Sequence, residues 1–248
     1  MKHLLSAIRF LTILPIGRKY SSETSLAAAL TYFPLIGLII GTLLAGLNVF
    51  LSAFGFSPLV SSLILVVAQM VITGGMHLDG LSDTFDALLS GKAKDESLEI
   101  MRDPRIGVMG VLSLISVILL KIGLLYELSG WAKINALILM CVLSRWAAVG
   151  QIFIFPYARN EGKAKVFFQN RRAMTAATAT VFAMAVAAVV AGGLGIAALS
   201  VVAAGNYLWG KVVCRKLSGI TGDTLGATIE LTELITLAII LIGGKIYG

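Results

Sequence analysis

Leu35-Ile36-Gly37-Leu38-Ile39-Ile40-Gly41-Thr42-Leu43-Leu44-Ala45-Gly46-Leu47-Asn48-Val49-Phe50-Leu51 lies inside a run from Thr24 to Leu78 that holds no Asp, Glu, Lys or Arg. A second charge-free run extends from Ala173 to Gly210. A soluble core has no use for apolar stretches of that length, whereas a helical crossing of a bilayer needs about 20 such residues, with roughly 17–25 tolerated. The 248 residues are 58% hydrophobic and 13% charged, with mean hydropathy +0.93. Soluble domains run at roughly 45–50% apolar and about 25% charged. A soluble globular domain, a disordered chain and a disulfide scaffold are excluded. The sequence predicts an all-α, polytopic transmembrane helical bundle, with residues 1–248 as a single integral-membrane domain.

Seven spans are predicted, at about 33–54, 57–76, 106–126, 133–155, 173–190, 194–210 and 225–247. The fifth and sixth come from one run divided at Ala191-Gly192-Gly193-Leu194-Gly195, and the second starts after the turn Gly55-Phe56-Ser57-Pro58. Sixteen of the 20 basic residues fall in segments 1–32, 77–105, 156–172 and 211–224; three, Lys121, Lys133 and Lys245, are assigned to the other side, and Arg145 falls within a span. Positive loops stay cytoplasmic, so the N-terminus is placed inside and the C-terminus outside. Leu4, Leu5, Ile8, Leu11 and Leu14 share one helical face opposite His3, Ser6, Arg9 and Thr12. Arg9 interrupts any signal-peptide core, so 1–15 reads as a retained interfacial helix ending near Pro15. The net charge of +7 is accounted for by these loops, and without a basic stripe interleaved with aromatics no nucleic-acid partner is expected. Cys141 and Cys214 read as small buried hydrophobes. The absence of an evident internal repeat disfavours a transporter.

The loop 77–105 departs from this pattern by carrying seven of the 13 acids: Asp79, Asp83, Asp86, Asp95, Glu96, Glu99 and Asp103. Asp79, Asp83 and Asp86 stand at i, i+4 and i+7, one face of a helix. Like charges there suit a hard divalent cation, Mg²⁺ above all, which takes carboxylate, water and phosphate oxygens; the alternative is a solvated acidic face. His77 is a candidate for substrate contact, general base or outer support of a metal site, or an interfacial histidine. Arg102 and Arg105, around Asp103 and Pro104, present guanidinium forks suited to phosphate, or anchor the membrane edge. Arg145 in Leu143-Ser144-Arg145-Trp146 is costly within a span and so marks a functional or paired role. Asp223, Glu230 and Glu233 project to one side of the last span, either as partners of Arg145 or as further metal ligands sharing one site with 79–86. These parts suit metal-assisted phosphoryl or nucleotidyl chemistry at the cytoplasmic membrane face.

Five ordered motifs resemble the cobalamin synthase family, the adenosylcobinamide-GDP ribazoletransferases. They are Phe10-Leu11-Thr12-Ile13-Leu14-Pro15 with Tyr32-Phe33-Pro34-Leu35-Ile36-Gly37; Gly75-Met76-His77-Leu78-Asp79-Gly80-Leu81-Ser82-Asp83-Thr84-Phe85-Asp86; Ile100-Met101-Arg102-Asp103-Pro104-Arg105-Ile106-Gly107; Leu143-Ser144-Arg145-Trp146; and Thr221-Gly222-Asp223-Thr224-Leu225-Gly226-Ala227. Ala87 stands where the family pattern has Gly. The resemblance implies a Mg²⁺-dependent multi-pass enzyme of the plasma (inner) membrane, with room for an oligomer. It would join adenosylcobinamide-GDP to α-ribazole or its 5′-phosphate, releasing GMP and completing the nucleotide loop of cobalamin. His77, Asp79, Asp83 and Asp86 would be catalytic; Arg102, Asp103, Arg105 and Arg145 would bind substrate; Asp79, Asp83, Asp86, Asp223, Glu230 and Glu233 would hold metal. A CDP-alcohol phosphotransferase is the alternative, but Asp83 and Asp86 come too early for its pattern. A cation or corrinoid transporter fits less well, because the acids cluster at one face.

Overall fold

The computed structural model describes residues 2–14, 27–162, 164–169 and 171–247; Pro15 and Thr24, named above, and Arg18, Lys19 and Lys163 of the basic segments lie outside the described residues. The described elements are helical. They are α1 (Lys2–Leu11), a 3-10 turn (Leu30–Tyr32), α2 (Phe33–Ala53), α3 (Pro58–Thr73), α4 (Met76–Leu89), α5 (Lys94–Ile100), α6 (Val108–Glu127), α7 (Gly130–Ile154), α8 (Lys165–Gln169), α9 (Ala173–Leu217) and α10 (Gly222–Tyr247). Among the described residues, five helices are long and apolar enough to cross a membrane, or six if the bent pair α3 and α4 forms one span.

The seven spans read from the sequence differ from this count at two places. The fifth and sixth are the two arms of the 45-residue α9, counted there as one element but broken at Ala191 (φ −137°, ψ 17°) and Gly192 (φ 55°, ψ −133°), where the sequence divides them. A straight helix of that length would reach about 68 Å, twice the roughly 30 Å hydrocarbon core. The chain instead doubles back at Gly192. A Cβ on Gly195 would collide with the Ala187 carbonyl, eight residues earlier, whereas a straight helix separates such residues by about 12 Å. At the second place, α3 ends after 16 residues because Gly74 (φ 65°) and Gly75 (φ 69°) both take left-handed backbone, which glycine adopts without steric cost. That turn swings α4 through 90°. We read α4 as lying across the end of the bundle, outside the spanning segments.

The turns sort to two ends. At one end α4 meets the starts of α6 and α10, and the segment after α7 pairs with the segment before α10 through a parallel bridge between Tyr157 and Ile220. At the other end lie the turns before α3 and α7 and an ion pair between Lys245 and Glu127 (3.7 Å). The helix α7 is the central one, buried on nearly every side and packed on α2, α9 and α10. Asn206 of α9 donates to the Ala147 carbonyl of α7 (3.0 Å) and its own carbonyl accepts from Gln151 (2.7 Å). Such interhelical hydrogen bonds act where apolar burial gives no preference for protein over lipid. α1 is amphipathic as expected, and its Ala7 and Leu11 are buried against the bundle, with Phe10 packing on Phe33 and Phe167.

Candidate active site

Helix α4 carries Asp79 and Asp83 to the start of α10. Gly80 makes this approach available: a Cβ there would stand 2.6 Å from the Asp223 carbonyl oxygen and 3.0 Å from its Cα. Asp223 opens α10, where Thr221 and Thr224 cap each other, the Thr221 N–H donating to Thr224 Oγ1 (2.8 Å). Phe85 stacks on Trp209 of α9, whose indole N–H donates to Thr228 Oγ1 of α10 (3.1 Å), so α9 and α10 together fix the position of α4. The result is a face bearing Asp79, Asp83 and Asp223. Burial and the charges of Asp79, Asp223 and Asp86 push the Asp83 carboxyl up to about 7, with Arg159 opposing them. Arg159 reaches the same face, its Nη2 2.9 Å from Asp223 Oδ2.

The other acids of the two sequence groups have partners of their own. Asp86 caps α6: its carboxylate accepts from the Gly107 N–H (2.7 Å) and the Gly110 N–H (2.8 Å). A carboxylate at a helix N-terminus satisfies orphan donors and complements the dipole, and both Asp86 oxygens are engaged in that cap. Glu230 shares the helical side of Asp223, but seven residues of rise put it about 10 Å deeper, and Glu233 about 15 Å deeper. There Lys121 of α6 donates to Glu230 (2.6 Å) and to Glu233, Arg145 of α7 donates to Glu233, and Gln69 of α3 also donates to Glu233 (2.7 Å). Glu230 and Glu233 are therefore ion-paired inside the bundle and do not join Asp79 and Asp83. Arg145, 0% exposed, is the partner of Glu233 inside the bundle.

His77 faces away from Asp79. Two residues before Asp79, it lies about 200° round the helix from it. Its side chain is buried, its backbone packs on Gly226, and its charged neighbours are Arg145, Glu233 and Lys121 rather than the carboxylate face. Arg105 is 87% exposed and locked to Asp103, with Nη2 2.6 Å from Oδ2 and the Arg105 backbone N–H also donating to Asp103 Oδ1 (3.0 Å). Those hydrogen bonds hold the Asp103 carboxyl down to about 2. Arg102 is exposed in the same turn, and its charge reaches Tyr157, beside Arg159.

Sequence reasoning missed Lys121, Gln69 and Arg159. Lys121 and Lys133 were assigned to the outer side, but both are buried within helices, Lys133 donating to Ser62 Oγ (3.1 Å). The rule that singles out Arg145, a charge inside an apolar helix, applies equally to Lys121. Nothing in the sequence separates Arg159 from the other basic residues of its loop.

The donor chemistry of the Asp79–Asp83–Asp223 face fits a hard divalent cation. Asp79, Asp83 and Asp223 are oxygen donors with mutually repelling charges, and Arg159 is the one cation paired with them among the described residues. Among the described residues no three His, Cys, Asp or Glu side chains close on a common point. Mg²⁺ does not need such a cage, since it binds through one or two carboxylates together with waters and substrate phosphates.

A helical membrane bundle carrying a carboxylate face bordered by arginines at one end defines a multi-pass protein equipped for phosphate chemistry. The family model described as cobalamin-5-phosphate synthase matches residues 3–241, and the chain belongs to that family. It is 44% identical over 233 residues (94% of this chain, 86% of the relative) to the adenosylcobinamide-GDP ribazoletransferase of Roseiflexus sp. (strain RS-1). It is 37% identical over 240 residues (97% and 96%) to the protein of that name from Desulforamulus reducens, and 38% identical over 243 residues (94% and 97%) to that of Escherichia coli K12. No solved structure matches the chain.

Proposed function

We propose that the chain is an adenosylcobinamide-GDP ribazoletransferase: it transfers α-ribazole, or its 5′-phosphate, onto the cobinamide-linked phosphate of adenosylcobinamide-GDP and releases GMP. The observation that carries this reading is the meeting of Asp79 and Asp83 of α4 with Asp223 of α10, in a chain of this family. In the reaction a ribose hydroxyl oxygen bonds to phosphorus, the phosphoanhydride bond to GMP breaks, and the hydroxyl proton passes to a carboxylate of this face. Asp79, Asp83 and Asp223 would hold Mg²⁺, which when bound neutralises diphosphate charge and favours departure of GMP. Arg102, exposed beside the face, would bind a phosphate of the GDP moiety; Asp103 holds Arg105 in a fixed orientation next to it. The buried Lys121–Glu230–Glu233–Arg145 cluster joins α6, α7 and α10 and sets the register that presents Asp223.

We place the site on the cytoplasmic side of the plasma membrane, and the distribution of basic residues supports the cytoplasmic placement. With Lys121 and Lys133 buried, Lys245 alone remains of the three basic residues assigned to the opposite end, so the asymmetry sharpens. The test is incubation of purified protein with adenosylcobinamide-GDP, α-ribazole and Mg²⁺. One GMP is expected per corrinoid product carrying ribazole. GMP released at the same rate without ribazole would replace the transferase by a hydrolase.

A further inference from the structure

Arg159 occupies a position that the acidic face alone does not explain. Its segment is zippered to the one that leads into α10: the Ala158 N–H donates to the Ile220 carbonyl (2.9 Å) and the Ile220 N–H to the Pro156 carbonyl (2.8 Å). Two short rigid strips thus deliver Arg159 and Asp223 side by side. The Arg159 side chain is 12% exposed; its Nη2 is paired with Asp223 Oδ2 at 2.9 Å, while its Nε is buried and has no acceptor. Buried donors in proteins are nearly always paired, and a guanidinium presents its donors as a planar fork that matches phosphate oxygens. The surroundings add a reason. Asp79, Asp83 and Asp223 would repel an incoming phosphate, and Arg159 is the cation whose field already reaches Asp83, Asp223 and Tyr157.

We propose that Arg159 is a substrate-binding residue whose unpartnered Nε, together with the Nη2 hydrogen not turned to Asp223, grips non-bridging oxygens of the substrate diphosphate while the guanidinium stays against Asp223. The assignment rests on the transferase reading and names the residue that tethers the diphosphate to the carboxylate face. Its alternative is a purely structural counter-ion for Asp223, which a lysine could replace. Equilibrium dialysis of the detergent-purified protein separates the two, with the visible absorbance of the corrinoid reporting adenosylcobinamide-GDP and radiolabelled α-ribazole, which has no phosphate, as the second ligand. Arg159→Lys keeps the charge and loses the fork. It is expected to melt within a few degrees of the unaltered protein, to raise the Kd for adenosylcobinamide-GDP by about tenfold or more, and to leave the Kd for α-ribazole within about twofold. Arg159→Gln is expected to lose more of the first affinity and still spare the second. Unchanged adenosylcobinamide-GDP affinity in Arg159→Lys, or equal weakening of both ligands, overturns the proposal. If the unaltered protein binds no adenosylcobinamide-GDP, the transferase reading falls and this one with it; if it binds and Arg159→Lys binds equally well, only the role of Arg159 is refuted.

Discussion

Replacing Lys121 by methionine removes one charge from a cluster that is formally neutral: Lys121 and Arg145 balance Glu230 and Glu233. Lys121 is 4% exposed, and it is the ion-pair partner of Glu230 among the described residues. Glu233 keeps Arg145 after the substitution, so the uncompensated charge falls on Glu230. Removing one partner of a buried ion pair costs about 3–5 kcal/mol, because the other is left charged and desolvated. At about 2–4 °C per kcal/mol for a chain of roughly this size, Tm should fall by about 6–20 °C. The measurement is thermal unfolding in one detergent at one scan rate, with Lys121→Met/Glu230→Gln beside the single variants. The double variant is neutral again and is expected to recover at least half of the loss, since the two sites are directly coupled. A Tm within about 2 °C of the unaltered protein for Lys121→Met, or a double variant no better than the summed singles, would refute the cluster as a charge-balanced lock.

Asp86→Ala should lower stability by about 1–2 kcal/mol through loss of the α6 cap while leaving the Mg²⁺ requirement of turnover unchanged; a raised requirement would return Asp86 to the metal ligands. Gly80→Val should drive α4 away from the Asp223 backbone, costing about 1–3 kcal/mol by overpacking and reducing turnover more than Asp86→Ala does; wild-type turnover would show that the close approach is dispensable. Single cysteines at Lys94 and at Ser129 should react with an impermeant thiol reagent from opposite sides of the membrane, and labelling from one side would contradict the two-ended sorting of the turns.

The helical membrane class was legible because charge-free runs have no soluble use, and the break at Ala191-Gly192 was legible from its glycines. The 90° bend at Gly74-Gly75 was not, because hydropathy carries straight through it to Leu78. Helical periodicity correctly put Asp223 and Glu230 on one side of α10, but periodicity carries direction and not depth relative to neighbouring helices. Depth decides that Asp223 meets Asp79 while Glu230 meets Lys121. The same limit applied to Asp86: its i+7 spacing from Asp79 was right, but the approach of Gly107 and Gly110, more than 20 residues later, gives it another partner.

The central claim is that phosphate transfer occurs at the Asp79–Asp83–Asp223 face and not at the buried Glu230–Glu233 cluster. The Mg²⁺ concentration giving half-maximal GMP release, compared across the unaltered protein, Asp83→Asn, Asp223→Asn and the neutral double variant Lys121→Met/Glu230→Gln, tests it most directly. The account predicts a rise of about tenfold or more, or loss of turnover, for Asp83→Asn and Asp223→Asn, with the double variant within about twofold of the unaltered protein. An unchanged Mg²⁺ requirement in both aspartate variants, together with a raised one in the double variant, would contradict it and move the metal into the interior of the bundle.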